Sequence, residues 1–215
     1  MSLEVCEIFY SIQGESSHAG RPCQFVRLTG CNLRCSYCDT QYAYEGGQRM
    51  EVDDIVEIIA AHPCRLVEIT GGEPLMQEET PALITAFLEK GFEVLLETNG
   101  TYSIKAVDPR CVRIMDIKCP SGGEADKTFF ANTDMLTAKD EIKFVIQDRQ
   151  DYDYALGVLA RYENILNSGC SVLFSPVSGV LPLPVLAEWV LAANFPVRMQ
   201  VQMHKIIWGE HATGV

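Results

Sequence analysis

Two periodicities take turns along this chain. Short apolar runs read as strands at residues 23–28, 66–69, 92–97, 112–117, 141–146 and 172–174. Between them, apolar residues recur at helical spacing. Ile55, Ile58 and Ile59 mark a helical face to about His62, and Pro63 closes it. Asp54-Ile55-Val56-Glu57 resembles a capping box at its start. Thr80-Pro81 reads as an N-cap followed by a first-turn proline. Leu83, Ile84, Phe87 and Leu88 then form the stripe, and Gly91 stops it. Residues 152–162 and 183–193 read as further helices, and 197–203 as a last strand.

Strands alternating with helices predict βαβ units on a parallel sheet. The strands are too few and too short for a closed eightfold barrel, which takes about 250 residues. Residues 99–111 and 119–140 carry no helical stripe. The expected fold is therefore α/β: a partial, open TIM-like barrel of about six parallel strands, some helices reduced or missing. No linker, repeat or low-complexity stretch divides residues 1–215, so one domain is expected.

Composition narrows the classes. Hydrophobic residues make up 47% and charged residues 21%, which suits a packed core and argues against disorder. Lys and Arg total 17 against 29 Asp and Glu, giving a formal charge of −12. That balance argues against general binding to nucleic acid or an anionic membrane. No apolar run has the length of a membrane span. The opening Met1-Ser2-Leu3-Glu4-Val5 lacks the basic and apolar regions of a signal peptide.

There are nine cysteines, an odd number, so at least one stands outside any intramolecular disulfide. Without an export signal a reducing, cytoplasmic setting is expected, where thiols more often bind metal or catalyse. Cys31, Cys35 and Cys38 crowd into one CxxxCxxC run. Three thiolates can converge on zinc or on an iron–sulfur centre. A closed zinc site needs a fourth, remote ligand. A 4Fe–4S cube held by three cysteines leaves one iron open to a ligand. The other six cysteines are scattered through apolar stretches and default to core packing.

In open α/β folds the site forms at the C-terminal ends of the strands. The cysteine run follows the first expected strand, and Thr70-Gly71-Gly72-Glu73-Pro74 follows the second. Asn99, Lys118 and Ser175 close later ones. All would meet on one rim. Glycines at such a turn let backbone approach a ligand closely. By itself Gly-Gly-Glu-Pro also suits an ordinary tight turn.

The cysteine run, with Tyr37 just before its last cysteine, resembles the cluster loop of the radical S-adenosylmethionine (SAM) superfamily. The glycine turn resembles that superfamily's methionine-binding motif. Within it, Ile8-Phe9-Tyr10-Ser11-Ile12-Gln13-Gly14-Glu15-Ser16 is similar to the opening of the 7-carboxy-7-deazaguanine synthase family. Phe25-Val26-Arg27-Leu28-Thr29-Gly30-Cys31, Cys38-Asp39-Thr40, Glu97-Thr98-Asn99-Gly100-Thr101 and Met203-His204-Lys205 fit it too. The resemblance implies a lyase of queuosine (7-deazapurine, tRNA modification) biosynthesis. It would contract 6-carboxy-5,6,7,8-tetrahydropterin to 7-carboxy-7-deazaguanine with loss of ammonia.

The resemblance also implies residue roles. Cys31, Cys35 and Cys38 would hold a 4Fe–4S cluster. Tyr37, Cys38 and Asp39 would touch SAM, with Gly72 and Glu73 at its methionine end. Asp116-Ile117-Lys118 matches a SAM-contacting segment that often reads Ser-Pro-Lys, so Asp116 departs from the pattern. Ser175-Pro176 matches a later SAM segment, in which Ser175 is shorter than the usual Gln. Thr40 would ligate Mg²⁺; a hydroxyl suffices if substrate and water supply the rest. Ile12, Gln13, Gly14, Glu15, Thr70, Asn99 and His204 would meet the substrate. Arg27, whose fork suits a carboxylate, would join them; a buried ion pair is its structural alternative. A homodimer and a flavodoxin- or ferredoxin-type reductant are further family expectations. The competing readings are a glycyl-radical-enzyme activase and a non-enzymatic iron–sulfur electron carrier.

Overall fold

The computed structural model describes residues 1–210 and 212–215. The six expected strands form, as β2 (Pro22–Leu28), β4 (Leu66–Gly71), β5 (Glu93–Thr98), β6 (Val112–Asp116), β7 (Glu141–Ile146) and β8 (Ser171–Pro176). They lie side by side in that order, all parallel. A short β9 (Val197–Met199) extends the parallel run at one edge. At the other edge β1 (Ser2–Ile12) runs antiparallel to β2, and β3 (Gln48–Glu51) antiparallel to β1. The sheet stays open between β3 and β9, as the strand count predicts.

The helices are α1 (Val52–Ala60), α2 (Thr80–Glu89), α3 (Arg149–Arg161), α4 (Glu163–Asn167), α5 (Leu183–Leu191) and α6 (Met203–Trp208). The crossings from β5 to β6 and from β6 to β7 hold only short 3₁₀ turns, where no helical stripe exists. In place of a helix, Asp140 pins the start of β7. Fully buried, it accepts from Arg113 N at 2.9 Å, Arg113 Nε at 3.1 Å and Thr137 N at 2.8 Å.

Several local expectations are corrected. α1 begins at Val52, and Asp54 lies in its first turn and caps nothing. There its charge favours the positive end of the helix dipole. Thr80 lies inside α2, and its hydroxyl donates to Pro74 O at 2.5 Å. The last strand stops at Met199, and Met203 opens α6. β1 and β3 are absent from the sequence reading.

The two sheet faces differ in kind. On the outer face Val26, Ile69, Leu96, Met115, Phe144 and Phe174 pack against Ile55 and Ile59 of α1, Phe87 of α2, and Leu159 of α3. On the inner face Cys23, Phe25, Leu66, Leu95, Val112 and Ile114 form a smaller apolar plug. Strand residues alternate between faces. Two or four positions further along, the same inner face therefore carries Arg27, Glu68, Thr70, Glu97 and Asp116, with Lys143 beside them on β7. Apart from Glu141 at the start of β7, which accepts from Ser17 N at 3.0 Å, the inner face is apolar at the N-terminal ends of its strands and charged at the C-terminal ends. That change of chemistry is the floor of the site.

All nine cysteines are free thiols. Of the six scattered ones, Cys23, Cys111, Cys119 and Cys170 are buried as expected. Cys6 and Cys64 are only half-buried.

Candidate active site

The C-terminal ends of β2, β4, β5, β6, β7 and β8 open on one cavity of ≈ 1080 Å³. Cys31, Cys35 and Cys38 all line it. Their loop leaves β2 through Gly30, whose amide donates to Ala43 O at 2.8 Å and closes the loop's base. Arg34 Nη1 then donates back to Cys31 O at 2.8 Å and Leu33 O at 2.7 Å. Burial pushes the Cys31 thiol up, and Cys35 up to about 11. A metal centre takes such ligands as thiolates and releases their protons. Among the described residues no three His, Cys, Asp or Glu side chains close on a single ion. The three thiols line the cavity from one short loop.

The glycine turn lies directly against this loop. A Cβ at Gly72 would run into Gly30 O and Cys31 Cβ. Only glycine permits that approach. Glu73 does not line the cavity. Fully buried behind the turn, it accepts from Leu75 N at 2.9 Å, Thr98 Oγ1 at 2.8 Å and Asn99 N at 2.6 Å. Burial nonetheless pushes its carboxyl up.

Two buried polar atoms near the cysteines lack any hydrogen-bond partner: the Tyr37 hydroxyl and Asp116 Oδ1. Buried groups of this kind are normally satisfied. A donor and an acceptor left open beside three thiols fit a polar ligand such as SAM. Lys118 Nζ holds Asp116 Oδ2 at 2.9 Å. Ile117 is buried in the outer core, and Ser175 also stands off the cavity, while Pro176 lines it. Cys119, next to Lys118, is core.

The remaining candidates, Ile12, Gln13, Gly14, Glu15, Arg27, Thr40, Thr70, Asn99 and His204, all line the same cavity. Arg27 Nε donates to Glu7 Oε1 at 2.7 Å, and its guanidinium lies 5.7 Å from the Phe9 ring centre and 5.8 Å from that of Tyr42. Arg27 is therefore in an ion pair and also lines the cavity. Asn99 Nδ2 lies against the cysteine loop, 3.9 Å from Cys31 Sγ and 3.1 Å from Asn32 Oδ1. Thr40 Oγ1 donates to Asp39 Oδ1 at 2.9 Å. Asp39 Oδ2 in turn accepts from Lys205 Nζ at 2.6 Å, tying α6 to the loop. Burial holds the His204 imidazole below its usual range, so it is neutral at pH 7.

Sequence reading misses part of the floor. Gln13 Nε2 donates to Glu68. Burial, with Glu97 and Glu15 nearby, raises the Glu68 carboxyl well above its usual range. Lys143 contacts Glu15, Glu97 and Asp116. Gln202 Nε2 donates to Glu15 Oε1 at 2.9 Å. The available signal was a charged residue in the inward phase of an apolar strand: Glu68 in Leu66-Val67-Glu68-Ile69, and Lys143 in Glu141-Ile142-Lys143-Phe144.

Comparison with known proteins bears on this geometry. The Radical SAM superfamily model matches residues 25–116, from β2 through β6. A 7-carboxy-7-deazaguanine synthase of Chlorobaculum tepidum is 46% identical, over 99% of this chain and 97% of its own length. One from Koribacter versatilis is 44% identical, over 99% of this chain and all of its own. The crystal structure of QueE from Escherichia coli superposes with a TM-score of 0.81 at 23% identity, covering 95% of each chain. That last likeness speaks for the fold, and the full-length identities speak for the family: this chain belongs to the 7-carboxy-7-deazaguanine synthases of the radical SAM superfamily.

Proposed function

We infer that this chain is a carbon–nitrogen lyase that contracts 6-carboxy-5,6,7,8-tetrahydropterin to 7-carboxy-7-deazaguanine with loss of ammonia, in 7-deazapurine and queuosine biosynthesis. One observation carries it at the level of the site. Three thiols of one loop, a glycine turn and a cationic fork share a single cavity. When bound, a 4Fe–4S cluster held by Cys31, Cys35 and Cys38 would, with SAM, supply the radical chemistry of the reaction. The protein's share is to bind, orient and exclude quenching.

Residue roles follow as proposals. Cys31, Cys35 and Cys38 hold the cluster. Gly72 lets backbone meet the methionine end of SAM. Glu73 acts from behind by fixing that turn, since its carboxylate already accepts three protein hydrogen bonds. Tyr37 and Asp116 offer SAM the open donor and acceptor, with Lys118, Cys38, Asp39 and Pro176 around them. Ile117 and Ser175 shape the cavity from outside it. Arg27 reads the substrate carboxylate, and Gln13, Glu15, Thr70 and His204 meet the pterin, with Ile12 and Gly14 against it. Asn99 holds the cysteine loop. Thr40 ligates Mg²⁺.

The loop after β1 and residues 202–210 close the site, in a chain read as one domain over residues 1–215. A homodimer, a flavodoxin- or ferredoxin-type reductant and a cytoplasmic setting complete the reading. No helix among the described residues is long and apolar enough to cross a membrane. The test is anaerobic incubation of the cluster-loaded chain with SAM, reductant, Mg²⁺ and the carboxypterin. Mass spectrometry should show the deazapurine. Its absence with a full cluster rejects the activity.

A further inference from the structure

Lys143 is the one buried cation of the cavity floor to which no role has yet been given. It sits mid-strand on β7, its side chain only 7% exposed. Its ammonium lies 3.0 Å from Glu15 Oε2 and 3.4 Å from Asp116 Oδ2, and it also donates to Glu97. The partners come from the loop after β1, from β6 and from β5.

The chemistry of this junction is constrained. An ammonium has three hydrogens and no acceptor. Here Glu15 and Glu97 accept two of them, and Asp116 pairs with the charge at 3.4 Å. The three carboxylates would otherwise repel one another in a poorly hydrated space. Burial disfavours the lysine's charge, but Glu15, Glu97 and Asp116 outweigh it and push the ammonium well above its usual range. Asp116 completes the junction. Its Oδ2 is shared by Lys143 and Lys118, and its Oδ1 is buried without a partner. Asp116 thus stands between a cation beside the cysteines and a cation beneath Glu15 and Glu97.

We propose that Lys143 is a positioning residue: it fixes Glu15 and Glu97 on the pterin side of the cavity and, through Asp116, ties them to the Lys118 side. The claim rests on the assigned substrate. Lys143 acts on the pterin through the carboxylates it holds. It sets where the acceptor oxygens stand for the ring N–H and amino donors of the pterin. The Asp116 bridge makes the arrangement on one side depend on the other, and any such dependence acts equally in both directions.

The experiment measures binding without turnover. The cluster-loaded protein is kept free of reductant. Carboxypterin and SAM affinities are measured by equilibrium dialysis, each alone and in the presence of the other. In Lys143→Met, carboxypterin binding should weaken roughly tenfold or more, while SAM alone binds within about twofold of the unaltered chain. Lys143→Arg, which keeps the charge, should recover most of the loss. Asp116→Asn should bring the mutual enhancement of SAM and carboxypterin binding close to one. Carboxypterin binding within about twofold in Lys143→Met, with full cluster content, overturns the proposal even if the melting temperature falls. If Lys143→Met does not fold, Asp116→Asn decides: unchanged mutual enhancement overturns it. Failure of the unaltered chain to bind carboxypterin rejects the substrate reading instead, and with it the ground on which this proposal stands.

Discussion

Met203 N donates to Gly14 O at 2.9 Å, joining the start of α6 to the loop after β1. These two residues stand 189 positions apart, and their contact closes the wall of the cavity. His204 packs directly over Gly14, where a Cβ would run into its Nδ1 and crowd its backbone. Gly14→Ala should therefore displace α6 while leaving the cysteine loop intact. We expect KM for the carboxypterin to rise roughly tenfold, with iron content unchanged. A normal KM would show that α6 is not needed to bind substrate.

Glu7 aims Arg27. Its Oε1 accepts from Arg27 Nε at 2.7 Å and from the Tyr42 hydroxyl at 2.9 Å. Glu7→Gln loses the charge that holds the fork in place. Hydrogen bonds to charged groups are worth about 1.5–3 kcal/mol, so KM should rise roughly tenfold or more with kcat nearly unchanged. The decisive comparison uses a pterin lacking the carboxylate. If its binding weakens equally, Arg27 does not read that group.

The nine cysteines should divide by experiment into two classes. Cys35→Ala removes a cavity-lining thiol and should abolish the cluster, read as iron content and visible absorbance. Cys119→Ala changes a fully buried core residue. It should keep the cluster and lower stability by about 1 kcal/mol in urea unfolding. Cluster loss in Cys119→Ala would place that thiol in the iron chemistry.

Thr40→Ala tests the Mg²⁺ assignment. Among the described residues its hydroxyl hydrogen-bonds to Asp39. The variant should fold and load its cluster normally, yet need a higher Mg²⁺ concentration for half-maximal activity. An unaltered Mg²⁺ titration would remove Thr40 from the metal site.

Asp140 gives the fold an acid limit. Burial raises its carboxyl, but Arg113 and Lys139 outweigh this and hold it at about 2, against an ordinary 3.8. A carboxyl lowered by folding stabilises above its ordinary value, and the gain is lost as pH falls through the folded value. On the order of 2 kcal/mol should therefore vanish between about pH 4 and pH 2. Asp140→Asn should lose about 3–5 kcal/mol at pH 7, because Arg113 is left buried without its partner. Urea midpoints against pH check both. An acid limb equally steep in Asp140→Asn would assign it to other carboxyls.

Some of this was written locally and some was not. β2, β4, β5, β6, β7 and β8 were legible because each is an apolar run bounded by turn residues. β1 was not. Its pairing with β2 shifts register between Val5 and Glu7, so Leu3 and Val5 fall out of phase with Phe9 and no steady alternation survives. β3 was not, because three of its four residues, Gln48, Arg49 and Glu51, are polar and exposed at the sheet's edge. The cysteine run and the glycine turn were legible because their chemistry lies within a few consecutive residues.

The sequence by itself therefore determined the six parallel strands, the three thiols and the resemblance to the family. The tertiary structure decided the electrostatics of the floor. Glu68, Glu97 and Lys143 read in sequence only as interruptions of apolar strands. Lys143 meets Glu97 across 46 positions and Glu15 across 128. Charges act through space and not along the chain. Strand phase and the parallel register brought these side chains to one face, and burial then made them depend on one another.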